Sequence, residues 1–156
     1  MKTKTVLITM LALCFLIGGA GCDKETSNES LRIKDFSYQG CKETKSLLTS
    51  YHGEESIEYK AVANGYLHIK HINAVFNCCP DTIQADVSMK DNIITIVESE
   101  TNPICDCICN YDLEYTFGPL TSNKEYILIF SSGAYVFSKL IIKYSPSLEG
   151  RITVQH

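Results

Sequence analysis

The sequence contains no tryptophan, and after residue 17 it has no apolar run long enough to cross a bilayer as a helix, which takes about 20 residues. It has no excess of positive charge: 14 basic side chains face 18 acidic ones, for a formal net charge of -4. The basic residues are scattered, so the electrostatic footprint of a nucleic-acid binder is absent. No glycine-rich phosphate cradle is present, which argues against a nucleotide enzyme. No Gly-x-Ser-x-Gly elbow, Ser-x-x-Lys pair or lone cysteine beside a base survives inspection, so nucleophilic catalysis has no visible machinery. A Cys-x-x-Cys redox motif is also missing. Disorder is excluded by 45% apolar against 21% charged residues, enough to build a core. A length of 156 residues fits one domain and leaves little room for two.

The N-terminus reads as an address. Lys2 and Lys4 precede the run Val6 to Ile17, in which only Thr9 is polar, and Gly18-Gly19-Ala20-Gly21 then leads into Cys22. That order is the layout of a cleavable export signal over residues 1–21. The small residues Ala20 and Gly21 before Cys22 resemble the lipobox of bacterial lipoproteins, although Gly19 stands where that motif most often has leucine. The resemblance implies a diacylglycerol thioether on Cys22, which then becomes the mature N-terminus. Cys14 is a poorer acceptor because bulky Leu13 directly precedes it. Ordinary signal cleavage, leaving Cys22 as a thiol, is the alternative. Lys24-Glu25 looks like the acidic export signals of Bacteroidota surface lipoproteins, so the resemblance points to the outer membrane and leaves its two faces open.

Removing residues 1–21 takes away two lysines and no acid, leaving 12 basic and 18 acidic groups, net -6. Such a chain is not drawn to anionic lipid by charge. The membrane partner is therefore expected to be engaged by acyl chains on Cys22, several of which give stable anchoring. Residues 22–30 carry the polar run DKETSNES and read as a flexible tether reaching roughly 15 Å. The folded domain is expected over 31–156.

Setting aside Cys14 and Cys22 leaves six cysteines: Cys41, Cys78, Cys79, Cys105, Cys107 and Cys109. An even number in an exported chain predicts disulfides. Ile83-Ala85-Val87-Met89 alternates as a strand and Ile94-Ile96 follows Lys90-Asp91-Asn92, which predicts an antiparallel hairpin. Extending its ladder outward sets Cys78 opposite Cys105 as the favoured pair. In an extended chain Cys105, Cys107 and Cys109 share a face about 6.5 Å apart, so each is expected to bond a distant partner. Cys78 and Cys79 point oppositely and should reach different partners. A soft-metal site such as copper(I) is the rival. Strand spacing does not converge thiolates as zinc turns do, so no metal and no cofactor is predicted.

Nine short alternating segments predict an all-β, disulfide-stapled antiparallel β-sandwich of seven to nine strands: Leu31 to Tyr38, Ser56 to Ala63, Tyr66 to Ile72, Ile83 to Met89, Asn92 to Glu98, Tyr111 to Phe117, Glu125 to Phe130, Ala134 to Tyr144 and Arg151 to Val154. Lys42 to Tyr51 has room for a helical turn or a loop. A two-residue Asn64-Gly65 hairpin would put Ile57, Tyr59 and Ala61 on the face opposite Leu67 and Ile69, which one core forbids. A three-residue Ala63-Asn64-Gly65 loop with a bulge at Gly65 puts all five together. Leu120 followed by Tyr126 is similar to the tyrosine corner of immunoglobulin-like and fibronectin-type sandwiches. That likeness implies a Tyr126 hydroxyl bonded to upstream backbone. The antibody Cys, Trp, Cys framework is absent.

Histidine offers little chemistry, because His68 and His71 are three residues apart and face opposite ways on a strand. His52 falls in a polar loop and His156 is terminal. Glu98, Glu100, Asp112 and Glu114 could supply the carboxylate pair of a glycoside hydrolase, with Asp106 nearby; a solvated acidic face is the simpler reading. Calcium has no loop pattern here. Tyr111 and Tyr115 beside Asp112 and Glu114 form a candidate ligand surface, with core packing of the two rings as the alternative. No catalytic residue is predicted. The expectation is a lipid-anchored, non-catalytic binding module for a protein, glycan or envelope component, the alternatives being a carboxylate hydrolase or an assembly subunit of an envelope complex.

Overall fold

A computed structural model describes residues 30–42 and 53–155 of the chain. The expected export signal over 1–21, Cys22, nearly all of the expected tether and the 43–52 stretch lie outside the described residues. Nine strands are present among the described residues: β1 (Arg32–Lys42), β2 (Ser56–Val62), β3 (Tyr66–Asn77), β4 (Thr82–Lys90), β5 (Ile93–Thr101), β6 (Ile108–Gly118), β7 (Glu125–Ser132), β8 (Tyr135–Lys143) and β9 (Glu149–Thr153). They form a sandwich of two sheets, ordered β1-β6-β3-β2-β9 and β4-β5-β7-β8. β1 also lies against β4, joining the sheets along one side.

Period-two patterning places the core between the sheets. Ile57 and Ala61 on β2, Leu67 and Ile69 on β3, Leu113 and Phe117 on β6, Ile94 and Ile96 on β5, and Leu128 and Phe130 on β7 are all buried. Each large apolar side chain removed from water contributes about 2 kcal/mol. On β3 the alternation changes phase: His71 and Ala74 both point inward, with a register shift between them and Asn73 in the left-handed region at φ 61°. This is a bulge, which re-aims the strand end that carries the cysteines.

The β2–β3 turn has the bulged register. Ala61 pairs with Leu67 and Tyr59 with Ile69, and both Asn64 (φ 65°) and Gly65 (φ 82°) adopt left-handed backbone. A Cβ on Gly65 would also press on the Leu120 carbonyl oxygen at 2.9 Å, so the position suits glycine alone. Nearby, the backbone N–H of Thr121 donates to the Tyr126 hydroxyl at 2.9 Å, the bond a tyrosine corner makes.

One pairing departs from the antiparallel expectation. β5 and β7 run parallel, Ile94 beside Leu128 and Ile96 beside Phe130. The chain goes up β5, crosses to the other sheet for β6, and returns up β7, so its two visits to the smaller sheet share a direction.

Candidate functional site

His71 and Glu98, two of the most deeply buried polar residues, anchor one network. β3 delivers His71, β5 delivers Glu98, β6 delivers Tyr115, and the segment entering β2 delivers Glu55. His71 Nδ1 lies 2.7 Å from Glu98 Oε2, and its Nε2 lies 2.9 Å from Glu55 Oε1. The Tyr115 hydroxyl donates to the other Glu98 oxygen at 2.7 Å. His71 and Glu98 are 2% and 1% exposed. Phe137 stacks on the imidazole, with ring centroids 5.2 Å apart.

Burial alone would strip the imidazole of its proton. The Glu98 charge, together with hydrogen bonds from both carboxylates, overrides that and raises the His71 pKa to about 9. At neutral pH both ring N–H groups therefore donate, one to each carboxylate. Burial and the neighbouring Glu98 also hold the Tyr115 hydroxyl well above its usual range, keeping it a donor. An imidazolium with both N–H groups committed to carboxylates is no general base. The network ties the two sheets together through charge-assisted bonds. A hollow of about 250 Å³ adjoins it, walled by Phe76, Ser132, Tyr135 and Phe137 among others.

The carboxylates singled out for hydrolysis are not brought together. Glu98 and Glu100 share the inner face of β5, but Glu98 is held by His71 while Glu100 accepts the Asn77 N–H at 2.8 Å. Asp112 and Glu114 lie on the far side of the larger sheet. Asp112 accepts from Lys42 and from the Asn73 N–H, and Glu114 pairs with Lys70 at 2.8 Å. The Glu114 hydrogen bond and charge raise the Lys70 pKa.

The candidate surface of Tyr111, Tyr115, Asp112 and Glu114 is likewise corrected. Period two splits it: both tyrosines point into the core, at 3% and 0% exposure, while the two acids point outward. The Tyr111 hydroxyl donates to the Asn77 carbonyl at 2.9 Å and its ring meets Phe76 edge-on. His68 and His71 do face opposite ways, His68 lying outward with Nδ1 3.2 Å from the Thr116 hydroxyl.

The six cysteines are joined as Cys41–Cys109, Cys78–Cys107 and Cys79–Cys105. The expected Cys78–Cys105 pair is not formed. The β4–β5 ladder that suggested it runs from Lys90 opposite Ile93 to Thr82 opposite Thr101, and there it ends. Asn102, at φ 46°, and Pro103 then carry the chain away. Cys78 instead prolongs the β3–β6 ladder, in which Phe76 faces Cys109 and Asn77 faces Ile108, so Cys107 comes opposite it. Its N–H donates to the Cys107 carbonyl at 3.2 Å. All three bridges gather at one end of the sandwich.

Glu55 and His71 carry no motif. The signal for His71 and Glu98 was parity, since each continues an inward series: Leu67, Ile69, His71 and Ile94, Ile96, Glu98. A polar residue in an apolar phase is expected to find a buried partner.

On the outer face of the larger sheet, β2, β3 and β9 enclose a shallow hollow of about 420 Å³ lined by Glu58, Lys60, His68, Lys70, Glu149 and Arg151 among others. Charges of both signs alternate there, with Lys60 3.4 Å from Glu149 and Arg151 3.5 Å from Glu58.

No protein-family model matches the chain, and no curated protein or solved structure matches it either.

Proposed function

We propose that the chain is an exported, lipid-anchored protein of the cell envelope, whose sandwich binds a protein, glycan or other envelope component without catalysing a reaction. The observation that carries this reading is the set of three disulfides, because such bridges persist in oxidising compartments outside the cytoplasm. The basic start, apolar run and small residues before Cys22 supply the matching address. Acyl chains on Cys22 hold the domain at the outer membrane, and residues 23–30 act as the tether.

The binding face in this reading is the outer surface of the larger sheet. Glu58, Lys60, His68, Lys70 and Arg151 offer closely spaced donors and acceptors, and Glu114 of the original candidate surface belongs to the same face. Mixed charge of this kind suits a hydroxyl-rich or zwitterionic ligand better than a polyanion. The committed buried network supports a scaffold role for the core.

Metabolic labelling with a palmitate analogue tests the anchor: the full chain takes the label and the Cys22→Ala variant does not. An unlabelled native chain overturns the anchor. Envelope polysaccharide and outer-membrane fractions, presented to the full chain and to a Lys70→Ala/Arg151→Ala variant, test the face. Retained binding by that variant rejects the assigned surface.

A further inference from the structure

The two bridges Cys78–Cys107 and Cys79–Cys105 lie side by side, and the Sγ atoms of Cys78, Cys79 and Cys107 are all within 4.8 Å of one another. Cys105 Sγ is bonded to Cys79 Sγ and borders that group of three without belonging to it. A tetrahedral zinc with Zn–S bonds of about 2.3 Å holds its sulfurs about 3.8 Å apart. Three of the four sulfurs already lie within a span close to that, and the fourth is bonded to one of them. Strand spacing would have kept them apart, but residues 105–107 precede β6 and bend, and residues 78–79 bend after β3.

The backbone around the sulfurs is held by bonds that do not depend on the bridges. Asn77 is the clamp: its Oδ1 accepts the N–H of Cys79 at 2.9 Å and of Cys105 at 3.4 Å, and its Nδ2 donates to the Cys105 carbonyl. The Cys78 N–H reaches the Cys107 carbonyl, the Asn77 N–H reaches Glu100, and Tyr111 holds the Asn77 carbonyl. Cys107 is exposed while Cys78 and Cys79 are half-buried, which leaves an open side for entry.

We propose that Cys78, Cys79, Cys105 and Cys107, once their two disulfides are reduced, form a four-thiolate site for a tetrahedral divalent ion of the zinc type. The end of the sandwich then has two closed states, one bridged and one metal-bound. Each bridge takes two electrons and two protons from a dithiol reductant, which becomes a disulfide, so two equivalents yield four thiols. The ion then forms four metal–sulfur bonds and displaces four protons, leaving a centre of net charge -2. Cys41–Cys109 stands outside this set.

The test uses the full chain in detergent, reduced anaerobically with a phosphine, which leaves as its oxide, and titrated with cobalt(II) alone. The expected result is one cobalt per chain, with thiolate charge-transfer and tetrahedral d–d bands that zinc(II) abolishes, and retained strand circular dichroism. The Cys41→Ser/Cys109→Ser variant keeps the site. Cys107→Ser weakens cobalt binding by at least about tenfold, the scale on which even second-shell losses act. Absence of the bands from the reduced native chain, folded or unfolded, overturns the proposal. So does their persistence at full strength in a Cys105→Ser/Cys107→Ser variant. If Cys107→Ser does not fold, Cys79→Ser serves in its place, with the same loss expected.

Discussion

His71 on β3 and Glu98 on β5 meet across the interior at 2.7 Å, the one charge-assisted contact between the two sheets in which both partners are almost fully enclosed among the described residues. Removing one partner of such a pair leaves the other charge buried alone, which costs about 3–5 kcal/mol. His71→Phe and Glu98→Leu should each destabilise on that scale. The double variant should lose less than the sum, because neither His71 nor Glu98 is then left buried opposite an apolar replacement of the other. Urea unfolding of the four species measures the coupling, and additivity would contradict the geometry.

The same pair sets a pH dependence. The folded pKa of His71 is about 9, raised from 6.5. A raised folded value means that stability is fully present below pH 6.5 and is lost as the pH climbs through about 9. Up to about 3 kcal/mol is linked to this proton. The groups facing it are Glu55, Glu98 and, through Glu98, Tyr115. Urea midpoints should therefore fall between pH 6.5 and 9.5, and His71→Gln should flatten that decline.

The bridges should behave non-additively for a topological reason. Cys79–Cys105, with a separation of 26, is nested inside Cys78–Cys107, with a separation of 29. Either one alone closes almost the same loop, so deleting one as a Ser pair should cost little entropy, about 1 kcal/mol or less. Deleting both should cost about 3–4 kcal/mol, and deleting Cys41–Cys109, with a separation of 68, about 4 kcal/mol. Thermal denaturation of the four variants decides this. Equal losses on deleting either nested bridge, each as large as the joint loss, would contradict nesting.

Gly150 on β9 faces Tyr59 on β2, and a Cβ there would collide with the Tyr59 ring carbon Cζ and hydroxyl. Gly150→Ala should displace the ring and cost about 1–3 kcal/mol. Gly150→Ala combined with Tyr59→Leu should recover part of that loss, read from melting temperatures.

Local chemistry was legible from the residues alone. Period two put Ile94, Ile96 and Glu98 on one face, the Asn64-Gly65 pair and the shared core required the bulged β2–β3 turn, and the Leu120 to Tyr126 spacing carried the tyrosine corner. Six cysteines behind an N-terminus that reads as an export signal carried the expectation of bridges. What the tertiary structure alone decided was which strands oppose which. Cys78 pairs with Cys107 because it continues the ladder behind it on β3, whereas the sequence displays more clearly the hairpin ahead of it. His71 reaches Glu98 because β3 and β5 face each other from different sheets, and the face of β6 that carries Tyr111, not the one that carries Asp112, is the one the other sheet covers. Alternation along one strand is a local steric property of the backbone. The partner across the core is chosen by the packing of all nine strands at once.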